Sequence, residues 1–455
     1  MDDSARLLAA VAALLAYGLL CAAIWRRERR RTASAAADAA SLAGGDAPVL
    51  VLHASQTGQA ETIAWQTARW LHAGGTPVRV VPLNELDLAT LQTASRALFV
   101  ASTYGEGDPP DGASAFVDLV MGAPAQLATL RYAMLALGDR QYAHFCGFGR
   151  KLDAWLRQSG AVPTFERIEV DNSDDGALAA WRSQWQSAGT ETPDEVDDSL
   201  AFRPWRLATR RHLNPGSAGA PIYRLDFTAP AGSEPHWASG DLVQIALESD
   251  PTRPRDYSIA SIPADGELAL LVRQERHPDG SLGLASGLLT DTLAPGDTAA
   301  LRLRPHRNFR LGANAGRPLI LIGNGTGLAG LRAHLRERIA RGQHQNWLVF
   351  GERSAEHDFL LRDELEGWLA SGALARLDMV FSRDEQALHG ERRYVQHRLL
   401  QCADELLAWL ERGAAIYVCG SLQGMASGVD AALRQIAGER LQAISAAGRY
   451  RRDVY

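Results

Sequence analysis

Apolar and polar positions along this chain change rhythm more than once. Between residues 48 and 186, short apolar runs such as "PVLVLHA", "PVRVVPL", "RALFVAS" and "RYAMLALG" alternate with longer segments of helical period, "AETIAWQTARWLHAGG" and "FGRKLDAWLRQSG" among them. Unbroken apolar strands followed by amphipathic helices predict an open, parallel, doubly wound α/β sheet. From about Phe202 to Arg310 the pattern turns to strands separated by turn signals, as in "DLVQIAL", "ELALLVRQE" and "TAALRLRP", which predicts a small antiparallel barrel. From Arg317 onward, strand and helix alternate again through "PLILIGNGTGLAGLRAHLRERIARG", "NWLVFGER" and "AAIYVCGSLQGMASGVDAALRQIAG", so a second α/β unit is expected.

Two stretches stand outside this rhythm. Leu7 to Trp25 runs 19 residues without a charge and is followed by "RRERRR", while the preceding "MDDSAR" is net negative. That length spans a bilayer, and a cleaved signal peptide would carry its positive charge before the apolar run. The pattern therefore predicts a single transmembrane helix with a basic stop over 1–31, the body of the protein on the cytoplasmic side of a bacterial inner membrane. The second stretch, 187–199, is polar and acidic with a proline and reads as a linker. The expected division is anchor 1–31, tether 32–46, first α/β unit 47–186, linker 187–199, barrel 200–312 and second α/β unit 313–455.

Composition changes this picture little: 46% hydrophobic and 22% charged residues describe ordinary folded protein. Four scattered cysteines with no C-x-x-C pair give neither a disulfide framework nor a zinc site, and no metal is expected. Charge adds more. Asp46 to Arg182 holds 15 acidic against 10 basic residues, whereas Leu200 onward holds 29 against 31, so the front half could dock on the back half or on a basic partner. No basic patch interleaved with aromatics points to nucleic acid.

The candidate chemistry lies at strand ends. After the strand "VLVLHA" come Ser55, Gln56, Thr57, Gly58, Gln59 and Ala60, then a helix, which gathers hydroxyls, backbone amides and a helix N-terminus into a phosphate cradle. The absence of a G-K-[ST] ending excludes a triphosphate loop. A second loop brings Ser102, Thr103, Tyr104, Gly105 and Gly107, and a third brings Leu137, Gly138, Tyr142 and Phe145, so two tyrosines border the cradle and suit a flat ring. In the barrel, Arg255, Tyr257 and Ser258 of "RPRDYSIAS" offer a pyrophosphate partner, a stacking ring and a hydroxyl, and Gly283, Ala285 and Ser286 form a second Gly/Ser turn. In the last unit, Gly325 and Thr326 sit in a glycine-rich strand-to-helix turn. Ser382, Arg383, Arg393, Tyr394 and Gln396 gather the cations and hydroxyls that a ribose 2′-phosphate requires.

The strings "SQTGQAE", "TYGEGDPPD" and "LGDRQYAHFCGFGRKLD" resemble the FMN-binding, flavodoxin-like domain of the diflavin reductases. R-x-Y-S followed by G-x-A-S resembles the FAD barrel of ferredoxin–NADP reductase relatives. The resemblance, which covers about 48 to 455, implies FMN, FAD and NADPH, a Rossmann-like NADP-binding unit, and an NADPH-dependent flavoprotein oxidoreductase. It implies FMN phosphate at Ser55 to Ala60, FMN's ring between Tyr104 and Tyr142, and Asp171 near the third flavin loop. It places Ser258, Cys419 and Asp453 by the nicotinamide, and lays Tyr455 of the closing "RYRRDVY" on the FAD ring as a gate. The acceptor it implies for a membrane-anchored reductase is a haem protein, a siderophore-iron reduction system or a monooxygenase. The haemoprotein of sulfite reductase is the alternative acceptor, and a flavin-binding relay without NADPH activity is the other alternative. Asn324 and Gly330 stand where the family carries prolines, which would loosen the nucleotide loop.

Overall fold

The computed structural model describes residues 48–55, 58–140, 142–172, 174–185, 201–250, 253–384 and 393–455. The expected anchor, tether and linker lie outside them, as do Gln56 and Thr57. Among the described residues no helix is long and apolar enough to cross a membrane.

The first sheet is parallel and built from β1 (Val49–Ala54), β2 (Val78–Pro82), β3 (Arg96–Ser102), β4 (Arg131–Gly138), β5 (Val162–Pro163) and β6 (Ile168–Asp171). Its order is β2-β1-β3-β4-β5, with β6 also pairing β4. This is the doubly wound order whose ligand crevice opens between the ends of β1 and β3. Alternation along β1 sorts the core. Leu50, Leu52 and Ala54 face Phe116, Phe148 and Leu152, whereas Val49 and Val51 face Ala64, Ala68, Trp181 and Trp185 on the opposite side. Both faces are covered, which is why the strands read as continuous apolar runs. Trp181 is almost fully buried and donates its indole N–H to Thr67 Oγ1 at 2.9 Å, so this large ring adds no unpaired polar atom to the core.

The second sheet is antiparallel: β7 (Arg203–His212), β8 (Ile222–Thr228), β9 (Leu242–Ile245), β10 (Arg255–Ser258), β11 (Leu268–Arg273) and β12 (Thr298–Arg304), in the order β10-β9-β12-β7-β8-β11. Its two edge strands approach each other through the Ile259–Leu270 bridge, so the sheet curls into a barrel around Leu225, Phe227, Val243 and Leu301.

The third sheet is parallel, with β13 (Leu319–Asn324), β14 (Asn346–Glu352), β15 (Arg376–Phe381), β16 (Ala415–Gly420) and β17 (Tyr450–Val454) in the order β15-β14-β13-β16-β17. Register matters most here. Cys419 on β16, between β13 and β17, stands opposite Gly323 on one side and Asp453 on the other, so residues far apart in sequence are abreast at the carboxyl end of the sheet.

Candidate functional site

The first crevice forms where the flavodoxin-like loops meet the barrel and the C-terminal strand. Ser55 is buried, and its Oγ accepts the amides of Gly58 at 2.8 Å and Ala60 at 3.2 Å, folding the loop back over the helix start. Gly58 adopts φ +89, a left-handed turn that a side chain would strain. A cavity of about 230 Å³ is lined from this side by Gln59, Ser102, Thr103, Tyr104, Gly105, Leu137, Gly138, Tyr142 and Phe145. Both expected tyrosines therefore border one space. Thr103 Oγ1 is buried without a hydrogen-bond partner, as a group awaiting a polar ligand would be, and the residues present fit FMN. Gly107 (φ +109) does not line the cavity; it packs under His144, where a Cβ would come within 2.7 Å of the imidazole-bearing carbon. Asp171 does not line it either. Its carboxylate accepts from the Arg140 amide at 3.1 Å and from Arg253 of the barrel segment at 2.9 Å, while the neighbouring Asn172, in the left-handed region, takes the lining position.

The far wall of the same cavity is built by Gln244, Pro254, Asp256 and Arg304 of the barrel and by Asp453, Val454 and Tyr455. Sequence reasoning missed this barrel wall, because nothing in a strand pattern says which unit its outer face will meet. The contact is polar and of opposite charge: Arg452 pairs with Asp111 (Nε to Oδ1, 3.1 Å), Arg307 with Glu61 (2.5 Å) and Arg253 with Asp171. Tyr104 donates to the Val454 carbonyl at 3.4 Å. Gly105 lies so close to Leu422 that a Cβ would stand 2.8 Å from its side chain.

On the barrel, β10 carries Arg255, Tyr257 and Ser258. The Tyr257 hydroxyl is within electrostatic reach of Arg255 and Glu275, and burial pushes its pKa upward. Glu275 in turn donates its amide to Ser286 Oγ at 3.1 Å, tying the Gly283–Ala285–Ser286 turn to the segment after β11. At the end of β10, Ser258 Oγ donates to Asp453 Oδ2 at 2.8 Å, and Cys419 Sγ lies 3.7 Å from the same oxygen. All three are buried. Burial, reinforced by the Asp453 charge, holds the Cys419 thiol pKa well above its ordinary value, so it stays protonated rather than acting as a thiolate nucleophile. Tyr455 continues β17: its amide donates to Gly420 O at 3.0 Å and its carbonyl accepts from Leu422 N at 2.9 Å. As a residue Tyr455 is half exposed, but its hydroxyl is buried, 3.3 Å from Thr326 Oγ1.

A second cavity of about 560 Å³ opens at the carboxyl end of the third sheet. Gly325, Ser382, Arg393, Tyr394 and Gln396 line it as the sequence suggests. Arg383 is exposed and lies outside its lining, its amide tied to the Arg353 carbonyl at 2.7 Å. Arg353, Arg273 and Glu352 line the cavity instead. Glu352 and Arg353 end and follow parallel β14, a place where the sequence rule for open α/β sheets would have directed attention, whereas Arg273 ends β11 of the antiparallel barrel. Gln396 Oε1 and Glu352 Oε1 are buried without partners, and the residues fit a dinucleotide. The nucleotide loop is tightly held despite lacking the family's prolines. Asn324 has φ −151, which a proline ring could not adopt, and its Oδ1 accepts the Ser421 amide at 2.9 Å, pinning the loop to the end of β16. Gly330 leaves room for Phe309 and Cys419, which a Cβ would approach to 3.1 and 3.4 Å.

The comparisons with known proteins agree with this geometry. A family profile described as Flavodoxin matches residues 51–185, and one described as Oxidoreductase NAD-binding domain matches 321–431. These two domains are consistent with a diflavin reductase, and the chain is an NADPH-dependent flavoprotein oxidoreductase using FMN, FAD and NADPH. It is similar to proteins named sulfite reductase [NADPH] flavoprotein alpha-component. The one from Bacillus subtilis (strain 168) is 27% identical, over 90% of this chain and 89% of the relative. That from Vibrio cholerae strain N16961 is 29% identical, over 92% and 89%. The Bacillus alignment runs 542 positions against a chain of 455 residues, so the relative carries segments that this chain lacks. Only residues 200–254 separate the 187–199 linker from Arg255. The expected inner-membrane location is corrected by these relatives, named as sulfite reductase flavoprotein components; the predicted anchor itself lies outside the described residues.

Proposed function

We propose that this protein is the flavoprotein component of a sulfite-reducing system, drawing electrons from NADPH and delivering them from its FMN to a haemoprotein partner. The single observation that carries the order of the relay is the shared wall. The FMN cavity is closed by Asp453, Val454 and Tyr455, the same strand that presents Asp453 to Ser258 and Cys419. When bound, NADPH supplies an electron pair, FAD divides it and FMN releases single electrons.

The chain's own residues orient and insulate. Gly325, Ser382, Arg393, Tyr394 and Gln396 would hold the nucleotide, and the Tyr455 ring would cover the FAD face and turn aside for a nicotinamide. Its main chain is fixed by two hydrogen bonds to β16 and the loop after it, so only the ring needs to move. Asp453 holds the Ser258 hydroxyl and faces the Cys419 thiol, keeping two neutral proton carriers away from water where they would border the reacting ring. Arg255, Tyr257 and the Gly283–Ser286 turn would hold FAD, and Ser55 to Ala60 would hold the FMN phosphate.

The test is an anaerobic NADPH titration of the full chain, flavins identified from the same sample, followed by mixing with a sulfite reductase haemoprotein. Equal FMN and FAD, both bleached, with reduction of the haem supports the reading. Bleached flavins beside an oxidised haem sink the proposed acceptor, and flavins left oxidised sink NADPH as donor and favour a binding subunit.

A further inference from the structure

Glu352 ends β14 at the carboxyl edge of the third sheet, one strand from the glycine loop. Its carbonyl accepts the Ser382 amide at 2.9 Å, and its side chain is only 8% exposed. The carboxyl faces the amides of Gly325 and Arg353, and the Arg273 guanidinium of β11 acts on it across the cavity; Oε1 has no hydrogen-bond partner. Arg273 lies against the glycine loop, where a Cβ at Gly325 would collide with its guanidinium. An amide at a helix start beside an arginine is the corner that a nucleotide pyrophosphate seeks. In this chain a resident carboxyl already faces that corner.

Resting on the assignment of the 560 Å³ cavity to NADPH, we propose that Glu352 makes dinucleotide binding proton-linked: its carboxyl takes up one proton from solvent as the pyrophosphate enters the Gly325–Arg273 corner, and in neutral form donates that hydrogen to the nucleotide. The proton balance is simple, since no covalent bond to the nucleotide forms or breaks. Two anions in one closed corner repel, whereas a neutral carboxyl is a donor. The surroundings favour protonation even before the nucleotide arrives. Burial raises the pKa of Glu352 to about 7, and Asp358 pushes the same way against Arg273 and the two amides. Asp358 is itself buried and held by Asn214 Nδ2 at 3.2 Å, so it cannot swing away. The other charged or titratable groups lining the cavity are Arg353, Arg393 and Tyr394.

The experiment is calorimetric titration of the full-length holoprotein with NADP⁺ in two buffers of different ionisation enthalpy, for wild type and Glu352→Gln. At about pH 7.5 the wild type should take up roughly three quarters of a proton more than the variant, and between about pH 7 and pH 8 its Kd should weaken about fivefold relative to the variant. The subtraction removes the proton count of the 2′-phosphate, which both proteins share. Glu352→Ala gives the same comparison should the glutamine variant fold poorly. Equal proton counts and parallel pH profiles overturn the proposal while leaving the nucleotide site intact. No NADP⁺ heat in the wild type overturns the nucleotide assignment and this proposal with it.

Discussion

Arg452→Ala should unlatch the flavodoxin-like unit from the rest of the molecule. Arg452 lies at the C-terminal strand and Asp111 in the loop after β3, and their side chains are 22% and 23% exposed where they pair. A charge-assisted hydrogen bond contributes about 1.5–3 kcal/mol when shielded, and partial exposure discounts this to about 1–2 kcal/mol. At 1.4 kcal/mol per tenfold, the closed arrangement should lose about 5- to 30-fold in population relative to open ones. Arg452 also lies over the rings of Tyr104 (5.7 Å) and Tyr450 (5.6 Å), so its loss loosens the aromatic beside the FMN cavity as well. The assay is paired: small-angle scattering for the distribution of radii, and stopped-flow absorbance for the interval between bleaching of the first and second flavin after NADPH. The variant should be more extended, with the second phase slowed. Raising ionic strength should move wild type in the same direction, because the contact is made of opposite charges near the surface. The pair exchanged, Arg452→Asp with Asp111→Arg, should recover part of the loss. Unchanged radii and bleaching in Arg452→Ala, or no recovery in the exchanged pair, would refute the latch.

Three further outcomes follow from the same geometry. Gly327→Ala places a Cβ against the Cys419 carbonyl and 2.6 Å from Gly420 Cα; backbone cannot yield cheaply, so urea unfolding should show a loss of about 1–3 kcal/mol and NADP⁺ binding should weaken at least about tenfold. Arg393→Ala, on the cavity wall, should raise KM for NADPH about tenfold or more with little change for NADH, and the exposed Arg383→Ala should do so less; steady-state kinetics with both donors would expose equal effects and defeat the assignment. Glu352 has a folded pKa of about 7, above its ordinary 4.5. The folded state therefore binds its proton more tightly, and its contribution to stability declines as pH rises from about 4.5 to 7; above that range Glu352→Gln should be the more stable protein by about 2–3 kcal/mol in urea melts, and a less stable variant there would contradict the assigned burial.

The sequence by itself determined the order of units and most of the ligand-bearing loops, because both are written in local rules. Apolar runs such as "VLVLHA" and "LILIG" are fully buried strands, and glycines and hydroxyls at their carboxyl ends mark turns that can hold phosphate. Ser55, Tyr104, Tyr142, Gly325 and Ser382 were legible for that reason, and Arg393 as a cation suited to a 2′-phosphate. Only the tertiary structure decided what those loops face. Sheet register sets Gly323, Cys419 and Asp453 abreast, and β10 brings Ser258 to the same carboxylate; no local pattern encodes a pairing between elements distant in the chain. The structure also moved Asp171 from a ligand position to an ion pair with Arg253, put Arg353 and Glu352 on the nucleotide cavity while leaving Arg383 off it, and replaced the expected stiffening prolines with the Asn324–Ser421 hydrogen bond. In each case the deciding contact joins residues brought together by packing, and side-chain type alone does not specify that partner.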